Sequence, residues 1–254
     1  MGYDSTITFT LDTICPWLVV QRVALLPKPY TVTFFHKDTD KIRTYLAFLR
    51  LRKALSTYRA ANPSSAVTFT VRISPYQLYP DFGQDGVDRH EWYRDSRYDG
   101  SEERFEKYAA YMGALAKDEG ISFDFSSGPF ANTFHAHRIL QHIQEHHGPE
   151  AAVRALESLY EQYFTMRAHP SSPETLAKAC LAAGLSEQEA NRVVEDESEE
   201  AMETKMAIRE QAGNGVDSVP YIVFEGKRRD FTLIGAKEIA EYIKTLEQVA
   251  KEAS

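Results

Sequence analysis

Two stretches near the start of the chain alternate apolar and polar residues with period two, "STITFTLDT" from Ser5 and "SAVTFTVRIS" from Ser65. β-Branched and aromatic residues are favoured in both, so each predicts a strand. Between them, "TYLAFLRLRKALSTYRAA" carries Tyr45, Phe48, Leu49 and Leu55 on one helical face, with Arg50, Arg52 and Lys53 largely elsewhere. That is the pattern of an amphipathic helix. From about Ser101 to Gly213 the patterns are helical: "SEERFEKYAAYMGALAKDEG", "ANTFHAHRILQHIQEHHG", "PEAAVRALESLYEQYFTM", "SPETLAKACLAAG" and "SEQEANRVVEDESEEAMETKMAIREQAG". Several open with Ser, Asn or Pro and close at Gly, as helix boundaries do. The chain then returns to strands, "VPYIVFEGK" and "RRDFTLIG", and ends in a helix where Ile239, Tyr242, Ile243, Leu246, Val249 and Ala250 recur three and four apart. Such a stripe must pack on another layer.

Composition narrows the class. A chain of 254 residues, 43% hydrophobic and 26% charged, is long enough for one large globular domain or one domain carrying a big insertion. Its net charge of −8 argues against a general nucleic-acid binder, which needs excess Lys and Arg to displace counterions from phosphates. The apolar runs are too short for a membrane span, and "MGYDSTITF" lacks the basic and apolar regions of a signal peptide. The expected address is therefore the cytoplasm. Two cysteines, Cys15 and Cys180, cannot build a disulfide framework and are expected to be thiols.

A β-α-β unit, a helical block and then β-β-α is the order of an α/β thioredoxin fold with a large α-helical insertion between its two halves. The expected organisation is a thioredoxin-like domain from residues 1–76 and 214–254, with 77–213 as the helical insertion subdomain. Within it, Cys15 followed by Pro16 puts a proline where a first helical turn tolerates it, and the free N–H groups there stabilise an anion. A thiolate so placed has a lowered pKa and is the reactive form of cysteine. The competing reading makes Cys15 a small apolar filler at a strand's end. Cys180, inside "LAKACLAAG", reads as a helix-core residue.

Four stretches, "DTICPW" at the first strand's end, "NTFHAHRIL" from Asn132, "PETLAKACLAAGL" from Pro173 and "GVDSVPYIVFEGKRRDFTLIGAKE" from Gly215, carry a family likeness. On them the chain resembles the DsbA-like branch of the thioredoxin-fold oxidoreductases, in particular the FrnE-like group. Kappa-class glutathione transferases and hydroxychromene-carboxylate isomerases are more distant relatives. The resemblance implies a cis peptide at Val219-Pro220, whose preceding backbone pairs with the extended chain of a substrate or glutathione. Taken alone, the residues equally permit a trans proline opening an edge strand. The resemblance further implies that Trp17 walls the site beside Cys15 and Pro16. It also sets Asn132, His137 and Arg138 on a helix facing the cysteine, where they line a substrate pocket. A capping Asn132 and a packed His137 are the alternative.

One departure bears on the chemistry. A dithiol oxidoreductase needs a second cysteine two residues beyond the first to resolve a mixed disulfide, and position 18 is Leu. The expectation is a thiol-dependent oxidoreductase with a single active-site cysteine, acting on a thiol or small-molecule substrate. It has no tightly bound cofactor, glutathione as a candidate cosubstrate, and no nucleic-acid or membrane partner; a homodimer fits the glutathione-linked relatives. One alternative is a glutathione transferase or isomerase acting on an aromatic or polyketide-like metabolite. The other is a noncatalytic thioredoxin-fold binding module.

Residues 18–43 interrupt this picture. Without them the chain reads "DTICPWTYLAFLRLRKAL", a strand, Cys-Pro-Trp and an uninterrupted amphipathic helix. Two readings follow: translated noncoding sequence, as from a retained intron, or a lid over the active site, since long loops near sites often are. Sequencing the spliced transcript separates them. Among the remaining candidates, His142 and His146 have the i, i+4 spacing that can hold a metal, beside His135, His137 and His147. With no third ligand visible, "QHIQEHHG" reads as the polar end of a surface helix, and no metal is expected. The stretch "YPDFGQDGVDRHEWYRDSRYDGSEERF" reads as a self-paired structural loop, with acceptor binding as the alternative.

Overall fold

The first alternating stretch forms β1 (Tyr3–Leu11), and burial along it changes from alternating to continuous towards its C-terminal end. It is a central strand, so both faces are covered where the chain leaves it. The computed structural model describes residues 2–14, 44–124 and 127–253. Cys15, Pro16, Trp17 and the segment 18–43 lie outside the described residues. The chain continues through α1 (Thr44–Ala61) to β2 (Val67–Pro75), which pairs parallel with β1 from Tyr3 opposite Val67 to Leu11 opposite Pro75. After the helical region, β5 (Tyr221–Phe224) pairs antiparallel with β1, and β6 (Phe231–Ile234) with β5. The order β2-β1-β5-β6, with α9 (Ile239–Ala253) closing the chain, is a thioredoxin fold.

Between β2 and β5 lie β3 (Val87–Asp88), α2 (Arg89–Arg97), α3 (Glu102–Asp118), β4 (Pro129–Phe130), α4 (Phe134–His147), α5 (Pro149–Thr165), α6 (Pro173–Ala183), α7 (Glu187–Glu195) and α8 (Ala201–Gly213). Helices α4 to α8 are the insertion. Among the described residues, no helix is long and apolar enough to cross a membrane.

The apolar stripes meet where the patterns require. Tyr242, Leu246 and Val249 of α9 are buried, and α9 packs on α1. Phe48 of α1 sets its ring edge-on to Phe9 of β1 at 5.9 Å, while Tyr45 lies 4.7 Å from Tyr160 and 5.6 Å from Phe164 of α5. One aromatic seam thus joins sheet, α1 and the insertion, each pair adding to simple area burial.

Two regions differ from the sequence pattern. The single helical run at 186–213 breaks into α7 and α8, because Asp196 captures the chain locally: its Oδ1 accepts from the Ser198 N–H at 3.1 Å and from its hydroxyl at 2.6 Å. Such side-chain-to-backbone bonds compete with helix, and Glu200 follows in the left-handed region at φ 59°. The stretch read as a loop contains α2, capped by Asp88, whose side chain accepts from the Glu91 N–H. Its apolar periodicity is too short to register, since Trp92 and Tyr93 are the only large apolar residues in it.

Caps end the insertion helices cleanly. Ser172 accepts from the Thr175 N–H at 3.3 Å to start α6, and Gly184 ends it at φ 101°, a conformation that L side chains rarely adopt. Replacing Ser172 by alanine should lower stability by about 1 kcal/mol. A shifted urea midpoint at constant slope would show this.

Candidate functional site

β1 delivers Asp12, Thr13 and Ile14, all buried, to its C-terminal end, one residue short of Cys15. Because β1 and β2 are parallel, α1 must run back across the sheet, so its N-terminus at Thr44 returns to this same end. The β1–β5 register ends with Thr10 opposite Tyr221, so Pro220 and Val219 enter β5 at the C-terminal end of β1. The Val219-Pro220 peptide is cis. The Pro220 carbonyl accepts from the Gly235 N–H at 2.9 Å, whereas among the described residues no hydrogen bond reaches the backbone of Val219.

Asp12 is the residue that sequence reasoning passed over. Its Oδ2 accepts from the Leu78 N–H at 2.7 Å, and its Oδ1 lies 3.4 Å from His137 Nε2, with both side chains fully buried. Among the described residues, Asp12 Oδ1, both ring nitrogens of His137, Thr13 Oγ1 and Thr44 Oγ1 have no hydrogen-bond partner. A buried polar atom without a partner costs roughly 1–3 kcal/mol. Several such atoms lie at the same end of β1, where buried polar groups are ordinarily satisfied. The only clue in the sequence is an acid directly after the strand and three residues before a cysteine.

His137 reaches Asp12 because α4 is fastened to the edge strand. The Ile73 N–H donates to Gln144 Oε1 at 2.7 Å, and Gln144 Nε2 donates back to the Ile73 carbonyl at 3.1 Å, so a side-chain amide completes β2 as a neighbouring strand would. Tyr163 of α5 lies near the same carboxyl. Burial pushes its phenol up to about 12 against the pull of Arg89, whose guanidinium sits 5.0 Å from the ring centre, and Asp12 adds to the rise.

The other expected site residues are placed differently. Asn132 Oδ1 accepts from the Phe134 N–H at 2.8 Å and from Gln77 Nε2 at 3.0 Å, and its Nδ2 donates to the carbonyls of Pro80 and Phe82. It holds the first N–H of α4 from the residue before the Thr133 N-cap and ties down the chain leaving β2. Arg138, expected at a substrate pocket, is instead fully buried and donates to the carbonyls of Asp196 at 3.0 Å and Glu199 at 3.2 Å. One helical step from His137 turns its side chain towards the α7–α8 connection. Cys180 is buried in α6, and burial pushes its thiol up to about 12, which makes it a poor nucleophile.

Two more histidines of α4, His135 and His142, are held below the ordinary imidazole value of 6.5, in each case chiefly by burial. Unfolding returns them to water, so the unfolded chain binds more protons as pH falls below about 6.5. Stability is then complete above that pH and is lost as pH drops towards the folded-state values. Thermal unfolding in EDTA should show this decline between about pH 7.5 and 5.5, and His142→Gln should make it shallower. An equal slope in the variant would contradict it.

Several comparisons bear on this arrangement. No curated protein sequence matches significantly. Among solved structures, a probable DsbA oxidoreductase from Streptomyces coelicolor superposes with a TM-score of 0.75 at 22% identity, covering 98% of this chain and 92% of that one. A 2-hydroxychromene-2-carboxylate isomerase gives 0.56 at 12% identity over 97% and 96% of the two chains. The cytosolic disulfide reductase DsbM from Pseudomonas aeruginosa gives 0.52 at 12% over 96% and 97%. At these identities the likeness is one of fold. The model of the DSBA-like thioredoxin domain matches residues 44–247, beginning at the first residue of α1 and ending in α9. With most of its length matched, the chain belongs to the DSBA-like thioredoxin domain family of thiol oxidoreductases.

Proposed function

We propose that the protein is a thiol-dependent oxidoreductase that works through one cysteine, Cys15, with glutathione as cosubstrate. The observation that carries this reading is a Val219 backbone that no hydrogen bond reaches among the described residues, near the end of β1 that carries the buried Asp12–His137 pair. In this account Val219 pairs through its N–H and carbonyl with the extended backbone of glutathione or a substrate. The Cys15 thiolate attacks one sulfur of a substrate disulfide; the new S–S bond forms as the old one breaks, and the other sulfur leaves as a thiolate. Without a cysteine at position 18, a glutathione thiolate then attacks the substrate sulfur of the mixed disulfide, forming a glutathione–substrate disulfide as the bond to Cys15 breaks and Cys15 leaves as thiolate. Asp12 and His137 are groups able to take or return the proton of the thiol.

A solved structure of DsbM with GSH, at 13% identity and a TM-score of 0.50, is compatible with glutathione in such a fold, and its cytosolic description with a reducing compartment. Pro16 and Trp17 complete the site in this reading, and no tightly bound cofactor is required. Incubation with glutathione disulfide tests it: a glutathione adduct on Cys15 in the intact mass supports redox chemistry. Retention on immobilised glutathione without an adduct would instead assign transferase or isomerase chemistry on a small molecule. Neither outcome would leave a noncatalytic binding module.

A further inference from the structure

His142 and His146 stand one turn apart near the end of α4, and sequence spacing supplies two imidazoles with no third donor. The fold supplies the third. Glu199, in the connection between α7 and α8, brings Oε1 to 3.4 Å from His142 Nδ1. One donor atom from each of His142, His146 and Glu199 lies within 4.8 Å of the other two, and the two imidazole rings are 4.5 Å apart. His142 is only 2% exposed, and neither of its ring nitrogens has a hydrogen-bond partner among the described residues. A buried imidazole with nothing to accept from or donate to destabilises the fold unless something else takes its lone pair.

The carboxylate is also held in place. Arg192 donates to Glu199 Oε2 at 2.6 Å, which leaves Oε1 turned towards His142. Arg138 fixes the main chain of the same connection through the carbonyls of Asp196 and Glu199. Glu200 in turn meets His146 Nε2 at 3.1 Å. Ligands whose remaining polar atoms are fixed by neighbours in this way are the usual support of a metal centre. Around the cluster, Glu189 and Glu200 favour a cation and Arg192 opposes one. A second trio, His142, His147 and Glu189, comes equally close. There, however, His147 and Glu189 already satisfy each other at 2.8 Å.

We propose that His142, His146 and Glu199 bind one divalent ion of the zinc class, fastening the end of α4 to the α7–α8 connection. Two imidazoles and a carboxylate suit zinc, with water in the fourth position, whereas calcium and magnesium prefer oxygen ligands alone. The ion would be structural, independent of the thiol chemistry at the end of β1.

Calorimetric titration of EDTA-treated full-length protein with Zn²⁺ tests this, beside His146→Ala, Glu199→Gln and Glu189→Gln. Circular dichroism confirms that each variant folds, and none removes the buried His142. The expected result is one equivalent bound by the parent protein, with affinity at least about tenfold weaker in His146→Ala and Glu199→Gln. Glu189→Gln should stay within about twofold, and Zn²⁺ should raise the melting temperature of the parent but not of Glu199→Gln. Absence of saturable one-to-one binding, unchanged affinity in Glu199→Gln, or loss confined to Glu189→Gln would overturn the assignment.

Discussion

Replacing Cys15 by serine is expected to abolish glutathione adduct formation and to slow thiol–disulfide exchange by at least about a hundredfold, because the thiolate sulfur is itself the reacting atom. A hydroxyl is far less acidic and forms no stable bond of this kind to sulfur. Cys180→Ser is the matched control. Its thiol is buried in α6 and pushed up to about 12, so its removal should leave the exchange rate unchanged. Measured as glutathione released from glutathione disulfide, the two variants should therefore behave oppositely. Substantial exchange in Cys15→Ser would remove the proposed nucleophile.

The largest stability effect is expected at Asp12. Alanine there strips the acceptor from the Leu78 N–H and removes the carboxylate that lies 3.4 Å from His137, where both side chains are fully buried. The orphaned Leu78 N–H alone costs roughly 1–3 kcal/mol, and the lost approach to His137 adds to it, so a loss of about 3 kcal/mol is expected in denaturant unfolding. Asp12→Asn, which keeps an acceptor of the same shape, should lose less. Because Asp12 and His137 face each other, the double variant with His137→Ala should fall short of the sum of the single losses. Additive losses would mean that the two side chains do not interact.

The difference between what the sequence disclosed and what it concealed follows from the range of the interactions. Period-two and period-3.6 patterns report burial on one face, a local property, so the two strands were legible to within about two residues, α1 at its full extent and α9 by its stripe. The same patterns merged α7 with α8, because what separates them is a polar turn at Asp196 and Ser198 with no apolar signature. They also passed over α2, whose short helix carries few apolar residues. The cis peptide at Val219-Pro220 was legible from the family likeness, whereas Cys15 lies outside the described residues. Asp12 was not legible, because its partners Leu78 and His137 come from distant parts of the chain. Arg138 shows the opposite error. Adjacent to His137 in sequence, it is turned by the helix onto carbonyls of the α7–α8 connection. Glu199 joins His142 and His146 only through that same connection, so histidine spacing alone could not reveal the trio.

Residues 18–43 separate Cys15 from α1 in the sequence, and activation of the thiol by the first turn of that helix depends on how the two are joined. The reactivity of Cys15 in the full chain is therefore the central claim, and labelling with iodoacetamide at pH 7 measures it directly. An ordinary thiol is only a few per cent ionised there, whereas one activated at a helix start is about half ionised or more. The account predicts a single alkyl group on Cys15, added at least about tenfold faster than to the thiol of free glutathione, with Cys180 untouched until the protein is unfolded. Labelling of Cys15 no faster than free glutathione, or not at all, would contradict it.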